Sequence, residues 1–157
     1  MTVGEKAARL LIEKGLKIAV SESCTGGMLS SAIIDYPGAS AAFEEGCVTY
    51  SNEAKMRRLG VKKETLDTYG AVSGETAREM AEGIAFTAGT DIGVSTTGIA
   101  GPGGGTEEKP VGLVYIGLYM DGRARSRELH LSGNRQQVRH SAVRSALEWL
   151  IFELERQ

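Results

Sequence analysis

The sequence is poor in the residues that build metal and disulfide sites. It has only two cysteines and two histidines in 157 residues. Cys24 and Cys47 form no disulfide framework, which favours a reducing cytoplasm. His130 and His140 lie on different predicted elements, and no cluster has the spacing of metal ligands. We therefore expect neither a metal nor a cofactor.

The chain also lacks an excess of charge and a long apolar run. Its 18 basic and 20 acidic residues give a net charge of -2, unlike the basic surface of a nucleic-acid-binding protein. No apolar run approaches the ~20 residues that span a membrane. The N-terminus has acidic residues in a helical pattern instead of a signal-peptide core. Composition therefore supports neither a nucleic acid nor a membrane as partner.

Glycine is abundant, with 21 residues, and many of these end a predicted helix or strand. Periodicity predicts helices over 3–14, 28–34, 62–69 and 74–88, one from a Ser51-Asn52 cap to Leu59, and one from an Asn134 cap to the C-terminus. It predicts strands over 17–20, 46–50, 92–96, 111–120 and 123–131, the last two joined at Asp121-Gly122. Helices alternate with strands in the first part of the chain, and a hairpin follows. This order predicts a single α/β domain over residues 1–157, a three-layer α/β/α fold with a mixed sheet.

The first strand runs into a polar turn, Glu22 to Gly27, before the second helix. A helix N-terminus favours an anion, and paired glycines such as Gly26 and Gly27 let the backbone approach a ligand. Ser23 is the candidate nucleophile, and Glu22 and Thr25 are candidate substrate-binding residues. The alternative is that the hydroxyls from Ser23 to Thr25 only cap the helix. Cys24 is a second candidate nucleophile, although a small buried cysteine fits the pattern better.

The second strand leads to Tyr50 and, in the next helix, Lys55. A lysine acts as a general base when its pKa is lowered from ~10.4, and a tyrosine can relay a proton. Together they could activate Ser23 without histidine. The alternative is a surface lysine on an amphipathic helix. The spacing is one residue longer than the Tyr-x-x-x-Lys of short-chain dehydrogenases, so a dehydrogenase is not predicted.

Two further stretches indicate binding of an anion. The loop from Thr97 to Pro110 is rich in glycine but leads into a strand, which excludes Rossmann and P-loop motifs. Its amides could surround a phosphate or sugar, or it could be a mobile surface loop. Arg135 and Arg139 share one helix face, where they oppose the helix dipole unless an anion binds there. The alternative is a solvated basic face that includes Arg144.

Five segments together resemble the CinA C-terminal domain family, the nicotinamide mononucleotide (NMN) deamidases. They are ESCTGG (22–27), VTYSNEAK (48–55), GAVS (70–73), TGIAGPGGGTEEKPVG (97–112) and GNRQQVR (133–139). The resemblance covers nearly the whole chain. It implies that the N-terminal molybdopterin-binding-like domain of larger CinA proteins is absent, together with its associated pyrophosphatase activity.

The resemblance implies hydrolysis of the carboxamide of NMN to nicotinic acid mononucleotide and ammonia. It assigns Ser23 as nucleophile, Lys55 as base and Tyr50 as the assisting hydroxyl. The positions that it associates with ligand binding are Thr97, Gly98, Gly101 and Arg139. Arg139 and the loop from Thr97 to Gly104 are expected to hold the ribose phosphate. Some members have no demonstrated activity, so a non-catalytic nucleotide-binding or regulatory module stays open, as does another carboxamide substrate. A homodimer is compatible with the long hairpin.

Overall fold

A computed structural model describes every residue from Met1 to Gln157. The helices are α1 (Val3–Lys14), α2 (Met28–Ile34), α3 (Asn52–Leu59), α4 (Lys63–Tyr69), α5 (Gly74–Ala88) and α6 (Arg135–Glu155). The strands are β1 (Ile18–Glu22), β2 (Phe43–Val48), β3 (Ile92–Gly98), β4 (Leu113–Met120) and β5 (Arg123–His130). A single 3-10 turn, Ala39–Ala41, precedes β2. None of the helices is long and apolar enough to cross a bilayer.

Caps that are visible in the sequence set the ends of most helices. Asn134, the predicted N-cap, forms a reciprocal capping box with Gln137 at the start of α6, which satisfies two backbone N–H groups. Ser73 accepts a hydrogen bond from the backbone of Thr76 at the start of α5. Gly15 ends α1 in the left-handed conformation, where glycine carries no Cβ penalty. These helix predictions are confirmed because each depends on contacts within one turn.

The five strands form one mixed sheet in the order β2-β1-β3-β4-β5. The pairs β1–β2 and β1–β3 are parallel, whereas β3–β4 and β4–β5 are antiparallel. The predicted mixed sheet is therefore confirmed. All five strands differ from the prediction at one end or both: β1 extends to Glu22, β2 begins at Phe43 and stops at Val48, β3 extends to Gly98, β4 begins at Leu113 and β5 ends at His130.

Helices cover both faces of the sheet and complete the three predicted layers. On one face, α1, α2 and α6 enclose the larger core of 25 buried residues, which includes Ile18 and Val20 of β1. On the other face, α3, α4 and α5 enclose a core of six, which includes Ala19. Neighbouring residues of a strand point to opposite faces, so β1 supplies both cores and is buried along its whole length.

Close packing of α5 on the sheet depends on small residues. A Cβ on Gly93 of β3 would overlap the carbonyl oxygen of Ala81, and one on Gly117 of β4 would overlap that of Ala77. The Ser95 hydroxyl donates to the Ala77 carbonyl at 2.6 Å. The helix therefore lies almost on the strand backbone, which places its N-terminal end beside the last residues of β3.

We predict that Gly93→Ala destabilises the fold by about 1–3 kcal/mol, because the new methyl group overpacks the contact with α5. Urea unfolding followed by circular dichroism measures the change. Gly103→Ala is the control, since its Cβ would meet nothing within 4 Å. Equal stability of the two variants would contradict the close packing.

Candidate active site

The carboxyl ends of three parallel strands bring the candidate site together. Glu22, the last residue of β1, pairs with Val48 of β2 on one side and with Thr96 of β3 on the other. The next residue, Ser23, donates its backbone N–H to the Thr96 carbonyl at 3.1 Å. Ser23 therefore lies between the chain segments that follow β2 and β3, at the sheet edge where ligands of open α/β folds bind.

The hydroxyls of the turn do not cap α2. The N-cap position is Gly27, with φ of 105°, and it makes no side-chain cap. The Glu22 carboxylate caps the helix instead. It accepts the N–H groups of Leu29 at 2.9 Å and Ser30 at 3.0 Å. It also accepts the Ser30 hydroxyl at 2.8 Å. A carboxylate at a helix N-terminus is favoured by the dipole, and Ser23 is left free for another role.

Glu22 and Thr25 support the turn from behind and do not line the cavity at the site. Both side chains are fully buried. The Thr25 hydroxyl donates to the Glu22 carboxylate at 2.6 Å and lies 2.7 Å from the Thr96 hydroxyl. With these partners, neither side chain faces a ligand. Their side chains therefore position the turn, and the expectation that Glu22 and Thr25 bind substrate stays a prediction.

Lys55 is buried beside Ser23, although it lies on a short and polar helix. Its side chain is 1% exposed, and Nζ lies 3.2 Å from Ser23 Oγ. The other two partners of Nζ are the carbonyl oxygens of Thr49 at 2.9 Å and Tyr50 at 3.1 Å. Burial lowers the pKa of Lys55 from its ordinary value because the charged form is poorly solvated. The surface-lysine alternative is therefore excluded.

The three contacts of Lys55 suit a neutral amine. An uncharged amine has two N–H donors and one lone pair. The Thr49 and Tyr50 carbonyls can only accept, so they take the two donors. In the charged form Nζ also donates to Ser23 Oγ; in the neutral form its lone pair is left for the Ser23 hydroxyl, which can then donate its proton. The arrangement provides a nucleophile and a base within hydrogen-bond reach.

Tyr50 is placed differently from its expected role as a proton relay. Its side chain is 62% exposed, and its hydroxyl lies 3.4 Å from Nη2 of Arg135, with no hydrogen bond to Ser23 or Lys55. Only its main-chain carbonyl touches the lysine. Tyr50 lies two residues beyond the end of β2. Its ring is at the exposed rim of the site, whereas its carbonyl lies on the buried side, next to Lys55.

Free backbone N–H groups lie in the turn. The backbone N–H groups of Cys24, Thr25 and Gly27 donate no hydrogen bond within the chain, whereas the Gly26 N–H donates to the Ser23 carbonyl at 3.2 Å. Gly26 and Gly27 both have positive φ, which opens the backbone of the turn. Such amides are suited to hold a developing oxyanion.

The glycine loop supplies the opposite wall. Thr97 is buried and donates its hydroxyl to the Ala71 carbonyl at 2.8 Å. A Cβ on Gly98 would overlap Val114 of β4, and one on Gly101 would overlap Val111. These glycines are therefore required by packing, whereas Gly104 lies in an exposed part of the loop.

Arg135 and Arg139, two of the three arginines of α6, have different positions. Arg139 donates from Nε to the Cys24 carbonyl at 3.0 Å and lies 3.4 Å from the Thr25 carbonyl, so it fastens the turn. Arg135 donates to the Gly101 carbonyl at 2.9 Å and lines the cavity. Their spacing shows only that they share a helix face, and the resemblance associates Arg139 with ligand binding. That role of Arg139 stays a prediction, and it is Arg135 that lines the cavity.

A cavity of about 200 Å³ joins these groups. It is lined by Ser23, Cys24, Tyr50, Lys55, Ala71, Val72, Thr97, Gly98, Ala100 and Arg135. Ala71, Val72 and Ala100 were not among the predicted site residues, since single apolar residues carry no chemical signal. A larger cavity of about 550 Å³ lies beside Thr90 and Tyr119 at the other end of β3, and it contains none of the catalytic candidates.

Cys24 is not poised as a nucleophile. Burial raises the pKa of its thiol to about 11, so the thiol is protonated at neutral pH. This outcome agrees with the buried cysteine that the sequence favours.

Comparison with known proteins identifies the family. The family profile of the CinA C-terminal domain matches residues 1–154. The chain belongs to the CinA family. A CinA superfamily protein of Klebsiella pneumoniae has the same fold, with a TM-score of 0.95 and 35% identity, over 99% of this chain and 97% of that one. A competence/damage inducible protein of Agrobacterium tumefaciens has a TM-score of 0.91 and 42% identity over the same shares.

The curated CinA relatives are longer than this chain. A competence-damage inducible protein of Clostridium acetobutylicum is 65% identical over 145 residues, which are 92% of this chain and 35% of that protein. One of Clostridium novyi is 57% identical over 157 residues, all of this chain and 38% of its own length. The chain therefore spans little more than a third of these relatives.

We predict that Glu22→Gln lowers the free energy of unfolding by at least about 2 kcal/mol. An amide side chain cannot accept all the donors that meet the carboxylate, and buried unpaired donors cost about 1–3 kcal/mol. Urea titration measures the loss. Glu44→Gln, at an exposed position of β2, is the control. An unchanged midpoint in Glu22→Gln would contradict the capping role.

Proposed function

We propose that this domain hydrolyses the carboxamide of nicotinamide mononucleotide to nicotinic acid mononucleotide and ammonia. The observation that carries the proposal is the buried Lys55 amine, held by two carbonyls 3.2 Å from Ser23 Oγ. This is the pairing of nucleophile and base that amide hydrolysis requires. Motifs of the NMN deamidase family coincide with these residues.

The acylation step uses the pair directly. Ser23 Oγ attacks the carboxamide carbon while the neutral Lys55 amine takes the hydroxyl proton. The C–O bond forms, and the oxygen of the tetrahedral intermediate accepts the free backbone N–H of Cys24, the turn residue that lines the cavity beside Ser23. One donor of this kind contributes about 2.7–4 kcal/mol in a known case. Lys55 then protonates the amide nitrogen, the C–N bond breaks and ammonia leaves.

The deacylation step uses the same base. Water attacks the acyl ester on Ser23 while Lys55 accepts a water proton, and the collapse of the second intermediate returns that proton to Ser23 Oγ. The products are the free carboxylic acid and the original enzyme. Because Lys55 shuttles every proton, Tyr50 has no required chemical step, in keeping with its position at the rim.

The charge of the substrate ring supports a neutral lysine. The pyridinium of NMN is cationic, and a like charge nearby disfavours an ammonium. Bound substrate would therefore lower the pKa of Lys55 in the same direction as burial does. No carboxylate lines the cavity to oppose this effect.

Two alternative functions predict different results with NMN. A non-catalytic nucleotide-binding or regulatory module accords with the competence-damage names of the relatives, and it would bind NMN without releasing ammonia. An amidase for another carboxamide would use the same Ser23–Lys55 pair but would neither bind nor hydrolyse NMN.

We predict that Ser23→Ala and Lys55→Met each reduce ammonia release from NMN by about 10³-fold or more, since each removes an essential member of one unit. A coupled ammonia assay measures the rate, and calorimetry checks that NMN still binds. Lys63→Met, at an exposed lysine paired with Asp67, is the control and is expected to match the wild type. Near-wild-type turnover by Ser23→Ala would exclude the covalent mechanism.

We also predict the sign of the pH dependence. The neutral form of Lys55 is the active one, so kcat/KM rises with pH and levels off above the pKa of Lys55. Burial lowers this pKa from 10.5, so the midpoint lies below 10.5. Rates from pH 5 to 10 test this, and Lys63→Met is expected to give the same curve. A rate that falls as pH rises through neutrality would contradict a neutral base.

A further inference from the structure

One wall of the cavity is a short segment between α4 and α5 that side chains hold in place. This wall segment, residues 69–73, contributes Ala71 and Val72 to the cavity lining. The carbonyl groups of three successive residues, Tyr69, Gly70 and Ala71, each accept a hydrogen bond from a side chain. The donors are Lys109 for the first carbonyl, Ser73 and Thr76 for the second, and Thr97 for the third. The segment is therefore fixed at three successive peptide groups.

Lys109 differs from the other donors in its place in the fold. Ser73, Thr76 and Thr97 are buried, and they belong to the N-cap of α5, to α5 itself and to β3. Lys109 instead belongs to the part of the glycine loop beyond β3, residues 99–110, which contributes Ala100 to the cavity lining. No other hydrogen bond joins this part of the loop to the wall segment. Lys109 therefore connects two walls that are far apart in the sequence.

The surroundings of Lys109 direct its amine to the wall segment. A tight turn fixes its backbone, which donates to the Thr106 hydroxyl at 3.0 Å and accepts the Thr106 N–H at 2.8 Å. The amine forms no ion pair. It lies over Gly70, where a Cβ would be 3.0 Å from Nζ. Gly70 has φ of 80°, which favours glycine, so the residue that the turn requires also leaves room for the amine.

We propose that Lys109 is a positioning residue that fixes the spacing between the two apolar sides of the cavity. Ala100 lies on one side, and Ala71 and Val72 lie on the other. The inference rests on the proposed function for the identity of the substrate, whose pyridinium ring would lie against these side chains. A gap of ~0.5–1 Å already removes a quarter to a half of a van der Waals contact. Small displacements of either side would therefore weaken binding of the ring.

The kinetic test separates binding from chemistry. Lys109→Met is expected to raise KM for NMN by about 10-fold, the lower end of the effect of a hydrogen bond to a charged group. Its kcat is expected to stay within about two-fold of the wild type, and the midpoint of its pH profile to stay unchanged. Ser23 and Lys55 are held by other contacts, so a change confined to KM indicates lost binding. Lys109→Arg retains a donor and is expected to restore most of the loss.

A second measurement tests the contact without substrate. Tyr69 is 48% exposed, and chymotrypsin, whose specificity pocket is hydrophobic, can cleave after it when the segment opens. Native-state proteolysis follows the population of the open form. Lys109→Met is expected to speed cleavage after Tyr69 by about 10-fold, measured by mass spectrometry of the fragments. Lys63→Met, which removes an exposed lysine of α4 paired with Asp67, is the control and is expected to match the wild type in both measurements.

Faster cleavage together with a raised KM in Lys109→Met, both reversed in Lys109→Arg, supports the inference. Faster cleavage with an unchanged KM would overturn it, since the contact would then serve stability alone. Unchanged cleavage would also overturn it, and so would a loss in kcat or a shifted pH midpoint. If the wild type releases no ammonia, the proposed function fails, and the calorimetric Kd for NMN replaces KM. An equal Kd in the wild type and Lys109→Met, or no binding to either, then overturns the inference.

Discussion

The candidate site depends on two main-chain carbonyls that hold the Lys55 amine inside the protein. These carbonyls belong to Thr49 and Tyr50, the two residues that follow β2. Their position is set by the parallel pairing of β2 with β1, because the Thr49 N–H donates to the Glu22 carbonyl at 2.9 Å. The sheet register therefore aims the lysine at the serine, and the residue types alone would not do so.

Glu22 and Lys55, the buried acid and the buried amine of the site, have opposite environments. Glu22 receives two N–H groups and two hydroxyls, which replace the water that a carboxylate loses on burial. Lys55 has no carboxylate among its partners, so burial acts against its charged form. Glu22 therefore caps α2, whereas burial of Lys55 favours the neutral amine that a general base would need.

Local signals in the sequence predicted the helices and the fold class, and they singled out Ser23 and Lys55, whose side chains the structure brings together. Caps, turn glycines and apolar periodicity act within a few residues, so they can be interpreted without the fold. The roles of Glu22, Thr25 and Arg139 could not be obtained this way. Each depends on which side of the turn its partners lie, which the packing of α2, α6 and the sheet decides. The pocket wall of Ala71, Val72 and Ala100 was missed for the same reason.

The buried floor of the cavity and its exposed mouth differ in how they could change during evolution. The floor is made of backbone groups and of Ser23 and Lys55, which are held by sheet pairing and buried contacts. The mouth is made of exposed side chains, Tyr50 and Arg135, and of the glycine loop. Substitutions at the mouth disturb few buried groups and so cost little stability. A domain of this kind could therefore change the group it recognises while it keeps its chemistry, or lose the chemistry by one change at the floor and still bind a nucleotide. The second route leaves the fold intact, and it is open to relatives such as those that carry competence-damage names.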